Sequence, residues 1–169
     1  MKNFPITDKD TGKEYWISRS IAVVILFIAY DEDDLKYILA VQRGKGTPDP
    51  EYIGSWCLPC GYLDFDETCQ QAASRELFEE TGIRVNSSQF KLLCINDNPK
   101  EDKRQNVTFR YIHNSTTTLH LLKGCLTNEH SEGDEVSDIQ FIPINKVFEY
   151  KWAFNHDKLI RKYENFKQT

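Results

Sequence analysis

Three glutamates with helical spacing carry the clearest chemical signal in the sequence. Glu76, Glu79 and Glu80 are three and four positions apart, so a helix would present their carboxylates on one face, within reach of one another. At 100° per residue, the small residues Ala72 and Ala73 fall on the same face. Small side chains favour a face packed against a sheet, whereas the alternative, a solvated acidic face, does not require them.

Neighbouring carboxylates that are shielded from water are stabilised by a bound cation. Adjacent like charges on a helix repel by roughly a few tenths of a kcal/mol per exposed pair, and by more near a packed surface. A bound divalent cation removes this repulsion, and ligand sets made only of oxygen atoms suit Mg²⁺ or Mn²⁺. Because Mg²⁺ favours sites that substrate phosphates complete, the three glutamates predict a magnesium or manganese site for a phosphorylated substrate.

The elements around these glutamates predict a layered α/β domain. The segment 15–42 is rich in β-branched and aromatic residues and predicts two strands joined by a polar turn. The glutamates belong to a predicted helix that begins near Asp66 or Glu67 and ends at Gly82. Further predicted elements are strands at Phe90–Asn96, Asn106–His113, Thr117–Leu126 and Ser137–Ile142 and a closing helix at Asn155–Phe166. Strands on both sides of one helix, with a second helix at the end, indicate a mixed α/β fold.

The composition is that of one soluble domain spanning residues 1–169. With 40% hydrophobic and 28% charged residues, collagen-like, low-complexity and disordered classes are excluded. The longest apolar run, Ile21–Tyr30, has half the length that a membrane-spanning helix needs, and the N-terminus lacks the apolar core of a signal peptide. Five cysteines at irregular spacing argue against a disulfide framework. We therefore expect a cytoplasmic protein with no membrane partner.

The formal net charge of −5 is unevenly distributed along the chain. Residues 61–83 hold six acidic side chains and one basic side chain, and residues 129–138 hold five acidic side chains and no Lys or Arg. The remaining residues therefore carry a surplus of +5. Two acidic segments on a basic body suit a metal site that meets an anionic substrate.

The helix and the loop before it resemble a known family. The pattern consists of Gly61, Glu67, the run Arg75-Glu76-Leu77, the pair Glu79-Glu80 and the pair Gly82-Ile83. This spacing matches every fixed position of the Nudix box, which here spans residues 61–83. The resemblance implies a Nudix-type α/β/α sandwich with a mixed β-sheet, in a single domain over residues 1–169.

The same resemblance implies a reaction. Family members hydrolyse a nucleoside diphosphate linked to another group, such as a nucleotide sugar or ADP-ribose, with one to three Mg²⁺ or Mn²⁺ ions on the diphosphate. By position, Glu76, Glu79 and Glu80 would be metal ligands, and Glu76 or Glu79 would also polarise the attacking water. Arg75 would orient a glutamate by paired hydrogen bonds. This chemistry agrees with the need to neutralise a slowly attacked, strongly anionic diphosphate.

Further positions of the box have implied roles, and one position beside it departs from the family pattern. Gly61 opens the box, Glu67 would be a supporting carboxylate at the helix start, and Gly82 would end the helix. Many members have a glycine before the first Gly of the box and use its backbone carbonyl as a metal ligand. Here that position is Cys60, which keeps the carbonyl but adds a side chain beside it.

The second acidic segment is a candidate for completing the metal site. Family members often add a carboxylate from a loop before a late strand, as a metal ligand or as a general base. Glu132, Glu135 and Asp138 occupy that part of the sequence, and we select Glu135. The alternative is a charged surface turn without a role in the site.

Several basic residues are candidates for contacts with substrate phosphates. Arg43 and Lys45 precede the box in a loop rich in glycine and proline, and Arg19, Arg104 and Arg110 lie elsewhere in the chain. Of these we select Arg43, Lys45 and Arg104 as substrate-binding residues. Each of them is alternatively a solvated surface charge.

Two other functions fit the same motif. One is a nucleotide-binding or sensing Nudix module with weak or no catalysis, although such modules usually lose box glutamates. The other is pyrophosphohydrolysis at an RNA 5′ end, which would favour an extended basic surface that this chain of pI about 5.4 lacks. The expected partner is therefore a small nucleoside diphosphate derivative. The sequence disfavours nucleic acid and leaves a homodimer open.

Overall fold

The longest apolar run of the chain forms the central strand of a mixed β-sheet. A computed structural model describes residues 4–100 and 105–166. Its strands are β1 (Phe4–Thr7), β2 (Glu14–Ile17), β3 (Ile21–Tyr30), β4 (Lys36–Arg43), β5 (Trp56–Cys57), β6 (Cys60–Tyr62), β7 (Lys91–Asn96), β8 (Val107–Asn114) and β9 (Val136–Pro143). Its α-helices are α1 (Cys69–Thr81), α2 (Leu119–Lys123) and α3 (His156–Phe166).

Pairing around β3 makes the sheet mixed. β3 runs parallel to β8 and antiparallel to β4 and β6. β7 adds to β8 at one side, and β5 and β9 both pair with β4. The register brings Val24 of β3 opposite Cys60 of β6 and opposite Arg110 of β8, so the start of the box lies against the sheet.

Both faces of β3 are buried because a helix covers each of them. Val23, Ile25 and Phe27 point into the cluster that contains Ala72, Ala73 and Leu77 of α1. Their neighbours Val24, Leu26 and Ile28 point the other way, into the cluster with Leu159 and Ile160 of α3. The alternation follows from the two-residue period of a strand. The predicted layered α/β arrangement is thus the observed one.

Helix α1 begins and ends with local signals. Thr68 and Gln71 form a capping box, in which the Thr68 hydroxyl accepts from the Gln71 amide and the Gln71 side chain accepts from the Thr68 amide. At the other end Gly82 adopts a left-handed conformation with φ 76°, which glycine reaches without steric cost. The helix therefore begins at Cys69, slightly later than the sequence predicted.

Two predicted strands were wrong in part. The segment Thr117–Leu126 contains the short helix α2 instead of a strand, because Leu119 and Leu122, three positions apart, bury one helical face. The single strand predicted from Tyr15 onward is divided, since Ser18–Ser20 separate β2 from β3. β2 pairs with β1 in a hairpin of its own. Among the described helices, none combines the length and apolar character needed to cross a bilayer.

Candidate active site

A cavity of about 450 Å³ opens between α1, the sheet and two loops. Helix α1 contributes Arg75 and the three glutamates predicted from spacing. The floor comes from β3, β6 and β8, and the far wall from residues 131–135 and 154–156. The side chains that this cavity brings together include Arg43, Glu76, Glu79, Glu80, Arg110, Glu132, Glu135, Phe154 and His156.

Arg75 is the centre of an ionic network on α1. Its guanidinium contacts both oxygens of Glu67 at 2.7 and 3.2 Å. One terminal nitrogen also donates to Glu76 at 2.8 Å and to Glu79 at 3.0 Å, and the other donates to the Tyr62 carbonyl at 2.9 Å. The planar, multiply donating guanidinium suits this arrangement where a lysine would not. Arg75 therefore holds three glutamates of the box and ties α1 to β6.

Glu80 is the most deeply buried carboxylate of the cavity. It accepts a hydrogen bond from the Cys60 amide at 3.0 Å, and its other oxygen lies 3.7 Å from the Arg43 guanidinium. Burial raises the pKa of Glu80 well above its usual range, and the nearby Cys60 and Glu76 add to the effect. Cys60 is not among the described residues with positive φ, so its side chain is accommodated without strain from a left-handed backbone.

Glu76 lies against the backbone of Gly61. A Cβ atom added to Gly61 would collide with all three atoms of the Glu76 carboxylate group, so this contact requires a residue without a side chain. Burial raises the pKa of Glu76 to about 7, while the Arg75 guanidinium acts in the opposite direction. A carboxyl group with a pKa near neutrality can exchange a proton at the pH of the cell.

The second acidic segment is brought to the same cavity. Glu132 and Glu135 both line it. The glycines of the loop before the box hold this turn in place, because the Gly44 amide donates to the Glu135 carbonyl at 2.7 Å and the Gly46 amide to the Asp134 carbonyl at 3.1 Å. Neither Gly44 nor Gly46 has room for a side chain against this turn.

The segment before α3 supplies two cavity residues that sequence reasoning missed. His156 is buried, and its Nδ1 accepts a hydrogen bond from the Leu58 amide at 3.0 Å. That bond requires an unprotonated Nδ1, so the neutral imidazole carries its proton on Nε2. Phe154 places its ring in the same wall. The run Trp152–Ile160 is similar to the family in sequence, but its spacing alone did not indicate contact with the box.

The overall similarity to known proteins agrees with this geometry. A family model for the NUDIX domain matches residues 19–163. The chain belongs to the Nudix family. An ADP-ribose pyrophosphatase of Methanocaldococcus jannaschii is 30% identical over 132 residues, which cover 77% of this chain and 67% of the relative. Family membership and this relative confirm the prediction of a pyrophosphohydrolase.

Solved structures share the Nudix fold. The Nudix domain of Shewanella oneidensis NrtR, solved with ADP ribose, has a TM-score of 0.70 at 24% identity, with 90% of each chain covered. A bifunctional NMN adenylyltransferase/ADP ribose pyrophosphatase from Francisella tularensis, solved with AMP and a Mn ion, has a TM-score of 0.63 at 23% identity. That match covers 87% of this chain and 41% of the other. The predicted α/β/α sandwich is thereby confirmed.

The Nudix cavity contains some of the other predicted site residues and not others. Asp138 is exposed on β9 and bonds to Gln140 at 2.8 Å, so of the three candidate acids it alone is not among the described lining residues. Arg43 lines the cavity, although its guanidinium is engaged with Glu80 and with the Thr47 hydroxyl. Lys45 is exposed and is not among the lining residues, and Arg104 lies outside the described part of the chain.

The carboxylate oxygens that line the cavity suit a hard cation, but three of these carboxylates contact arginine side chains. Within residues 4–100 and 105–166, no three Asp, Glu, His or Cys side chains already form a ready metal-binding group. Arg75 holds Glu76 and Glu79, and Arg43 faces Glu80. The oxygen-rich lining and the unfavourable burial of two carboxylates fit Mg²⁺ or Mn²⁺ chemically, provided that side chains of the box turn away from the arginines.

Proposed function

We propose that this chain is a divalent-metal-dependent hydrolase that cleaves the diphosphate linkage of a nucleoside diphosphate joined to another group, with ADP-ribose as the first candidate substrate. The observation that carries the proposal is the burial of Glu76 and Glu80 in one cavity, each with a raised pKa. Burying a carboxylate costs free energy unless positive charge compensates it. A bound metal ion would supply that charge, so buried carboxylates with raised pKa values are expected at a metal site.

The metal ligands would come from three segments of the chain. Glu76, Glu79 and Glu80 would supply carboxylate oxygens from α1, Glu135 would add one from the acidic turn, and the Cys60 carbonyl would add a backbone oxygen. All five residues line the cavity. Bound Mg²⁺ or Mn²⁺ would neutralise the diphosphate charge and lower the pKa of a coordinated water.

The remaining roles fall to residues of this chain. Glu76, whose pKa of about 7 lies near working pH, is suited to accept a proton from the attacking water, and Glu79 is the alternative base. Arg75 contacts both of them and would control which carboxylate oxygens face the cavity. Arg110, almost completely buried and lining the cavity, provides a positive charge for the diphosphate.

The choice of ADP-ribose rests on relatives and on chemistry together. The Methanocaldococcus jannaschii relative is an ADP-ribose pyrophosphatase, and two structures with the same fold were solved with ADP ribose or with AMP. A cavity of about 450 Å³ lies in the usual range for sites that take a ligand of this size. Nucleotide sugars share the diphosphate and the nucleoside, so they are the next candidates.

A substrate panel with matched variants tests the proposal. ADP-ribose, nucleotide sugars, dinucleoside polyphosphates, NADH and nucleoside triphosphates are incubated with the chain in Mg²⁺, in Mn²⁺ and in EDTA. We expect turnover of ADP-ribose only with metal, and losses by orders of magnitude in Glu76→Gln and Glu80→Gln. Glu51→Gln, which changes an exposed carboxylate, is the control. Wild-type rates in either site variant would overturn the assignment of the metal site.

A sensing module is the second candidate. Structures of Shewanella oneidensis NrtR, including one with a 27mer DNA, share the fold, although this chain covers only 62% of that DNA-bound protein. Under this alternative, ADP-ribose would bind with measurable affinity while none of the panel is hydrolysed. The intact set of box glutamates favours hydrolysis. Calorimetric binding beside the turnover assay separates the two functions.

A further inference from the structure

A stack of three side chains joins the box helix to the acidic turn of residues 129–135. Phe78 of α1 and His130, two residues before Glu132, have ring centroids 4.5 Å apart and an angle of 26° between the ring planes. The Arg84 guanidinium carbon lies 3.6 Å from the centroid of the same Phe78 ring. Two groups so close to one centroid would overlap on a shared face, so Phe78 lies between Arg84 and His130.

Phe78 fills a position that the family pattern leaves open. The box fixes the other positions of the run 75–80 but not this one. Phe78 points away from the helix face that carries Ala72 and Ala73 into the core, and yet it is half-buried. An aromatic residue on the outer side of a helix needs contacts outside the core, and the stack provides them.

The stack contacts a part of the acidic turn that burial does not hold. Before this part, the Thr127 amide donates to the Thr81 carbonyl at 3.1 Å, and after it the Gly44 amide donates to the Glu135 carbonyl at 2.7 Å. Between these two attachments, residues 128–130 and 132–134 are exposed. The His130 ring therefore holds the middle of the turn against α1.

The helix and the turn carry like charges into the same cavity. Phe78 is adjacent to Glu79 in the chain, and Glu79, Glu132 and Glu135 all line the cavity. Carboxylates on two neighbouring segments repel each other until a cation lies between them. An attractive contact beside these carboxylates opposes the repulsion and keeps the turn near the helix.

We propose that the Phe78–His130 stack is a clamp that holds the acidic turn against the box helix, so that Glu132 and Glu135 are in place before a metal ion binds. The inference rests on the proposed function, because it takes the cation to lie between the box glutamates and this turn. Phe78 and His130 are not among the described residues that line the cavity, so they are positioning residues. Without the stack, part of the metal-binding free energy would be needed to order the turn.

Manganese binding by the full chain at fixed pH tests the clamp. Electron paramagnetic resonance follows a Mn²⁺ titration without substrate, so the result does not depend on turnover. His130→Ala is expected to weaken Mn²⁺ binding about 2-fold to 12-fold, which corresponds to the roughly 0.5–1.5 kcal/mol of an aromatic pair. His130→Phe keeps a flat ring and removes both ring nitrogens, so it should restore the affinity of the unmodified chain. A loss in His130→Phe as large as in His130→Ala would overturn the clamp in favour of an imidazole ligand.

Two control variants separate the clamp from other effects of the substitutions. His120→Ala removes an exposed histidine that is not among the described lining residues. Arg84→Met removes the group on the other face of the Phe78 ring. Both should bind Mn²⁺ as the unmodified chain does. His130, His120 and Arg84 are exposed, so the urea midpoint in EDTA should stay unchanged in all four variants.

Hydrogen exchange in EDTA follows the turn itself, in the absence of metal. The Glu135 amide donates to the Glu132 carbonyl at 2.9 Å, and this bond should open more often when the stack is lost. Peptides that cover residues 127–135 should therefore exchange faster in His130→Ala than in His130→Phe, His120→Ala and the unmodified chain. Unchanged exchange in His130→Ala would show that the stack does not hold the turn.

Failure of the clamp can be distinguished from failure of the proposed function. Equal Mn²⁺ affinity in His130→Ala and the unmodified chain would overturn the clamp and leave the metal site intact. If the unmodified chain binds no Mn²⁺, metal-dependent hydrolysis is overturned together with the clamp. If Mn²⁺ binding depends on the ring but no substrate is hydrolysed, the clamp stands and hydrolysis fails.

Discussion

The buried ion pair between Arg43 and Glu80 can be tested by removing its positive partner. Both side chains are almost completely buried, at 6% and 7% exposure, and their charged atoms are 3.7 Å apart. Arg43→Met removes the charge and the bonds to Thr47 but keeps an apolar stem of similar length. The substitution leaves Glu80 buried beside Glu76 and removes the guanidinium that faces its outer oxygen.

The size of the effect follows from the separation and the burial. Two unit charges at this distance attract by about 4.5 kcal/mol at an effective dielectric constant of about 20, and breaking a buried pair from one side typically costs about 3–5 kcal/mol. We expect Arg43→Met to lower the free energy of unfolding by about 2–3 kcal/mol, at the lower end of that range because the methionine recovers part of the packing and the raised pKa of Glu80 lets its carboxyl group bind a proton when the cation is lost. The double variant with Glu80→Gln should recover most of this loss, because no buried charge is left alone.

Urea denaturation in EDTA measures these free energies in the absence of divalent cations. The four proteins of the double-mutant cycle are the unmodified chain, each single variant and the double variant. Lys158→Met, which also replaces a positive charge by methionine but at an exposed position, is the control and should change the free energy by less than about 0.5 kcal/mol. A value for Arg43→Met within that same range, or a double variant as unstable as the single one, would refute the reasoning.

Three further predictions concern the box and the core. Gly61→Ala should displace the Glu76 carboxylate and reduce kcat by orders of magnitude, while Gly124→Ala, whose Cβ has room, should not; comparable rates would contradict this. Thr68→Ala removes the cap of α1 and should cost about 1 kcal/mol in urea denaturation, with Thr68→Ser near neutral. Burial lowers the pKa of His113, so the unfolded chain binds more protons and stability falls as pH drops below about 6.5. In melting scans from pH 7.5 to 5.5, His113→Gln should therefore lose less stability than the unmodified chain. The raised pKa of Glu76 makes an opposite contribution to the pH dependence of stability, but both proteins share it, so it cancels in the comparison.

The elements that depend on residues close together in the sequence could be predicted from it. The helix that carries Glu76, Glu79 and Glu80 follows from the spacing of its residues, and Gly82 ends it as expected. The strand error at Thr117–Leu126 arose because β-branched threonines precede a helix of one and a half turns. In so short a helix, burial of Leu119 and Leu122 decides the conformation, and burial depends on the rest of the fold.

The parts that depend on tertiary contacts were not accessible in the same way. Arg43 was selected as a phosphate contact because it is basic and precedes the box, but nothing in its neighbours indicates that Glu80 would face it. Phe154 was one aromatic residue among many. Its position in the cavity depends on backbone bonds to Trp56, almost a hundred residues earlier in the chain, and on a turn conformation with positive φ that phenylalanine does not favour.

The charge of the cavity sets the order in which ligands can enter. Among the described residues that line it are seven carboxylates and three guanidinium groups, so the formal charge is −4 when all the acids are ionised. A diphosphate would be repelled by this surface, and the three arginines are already engaged, two of them with the box glutamates. Two divalent cations would cancel the surplus, and they would compete with Arg75 and Arg43 for the same oxygens. We therefore expect substrate affinity to rise with Mg²⁺ concentration, because cations must bind before or together with the anionic substrate.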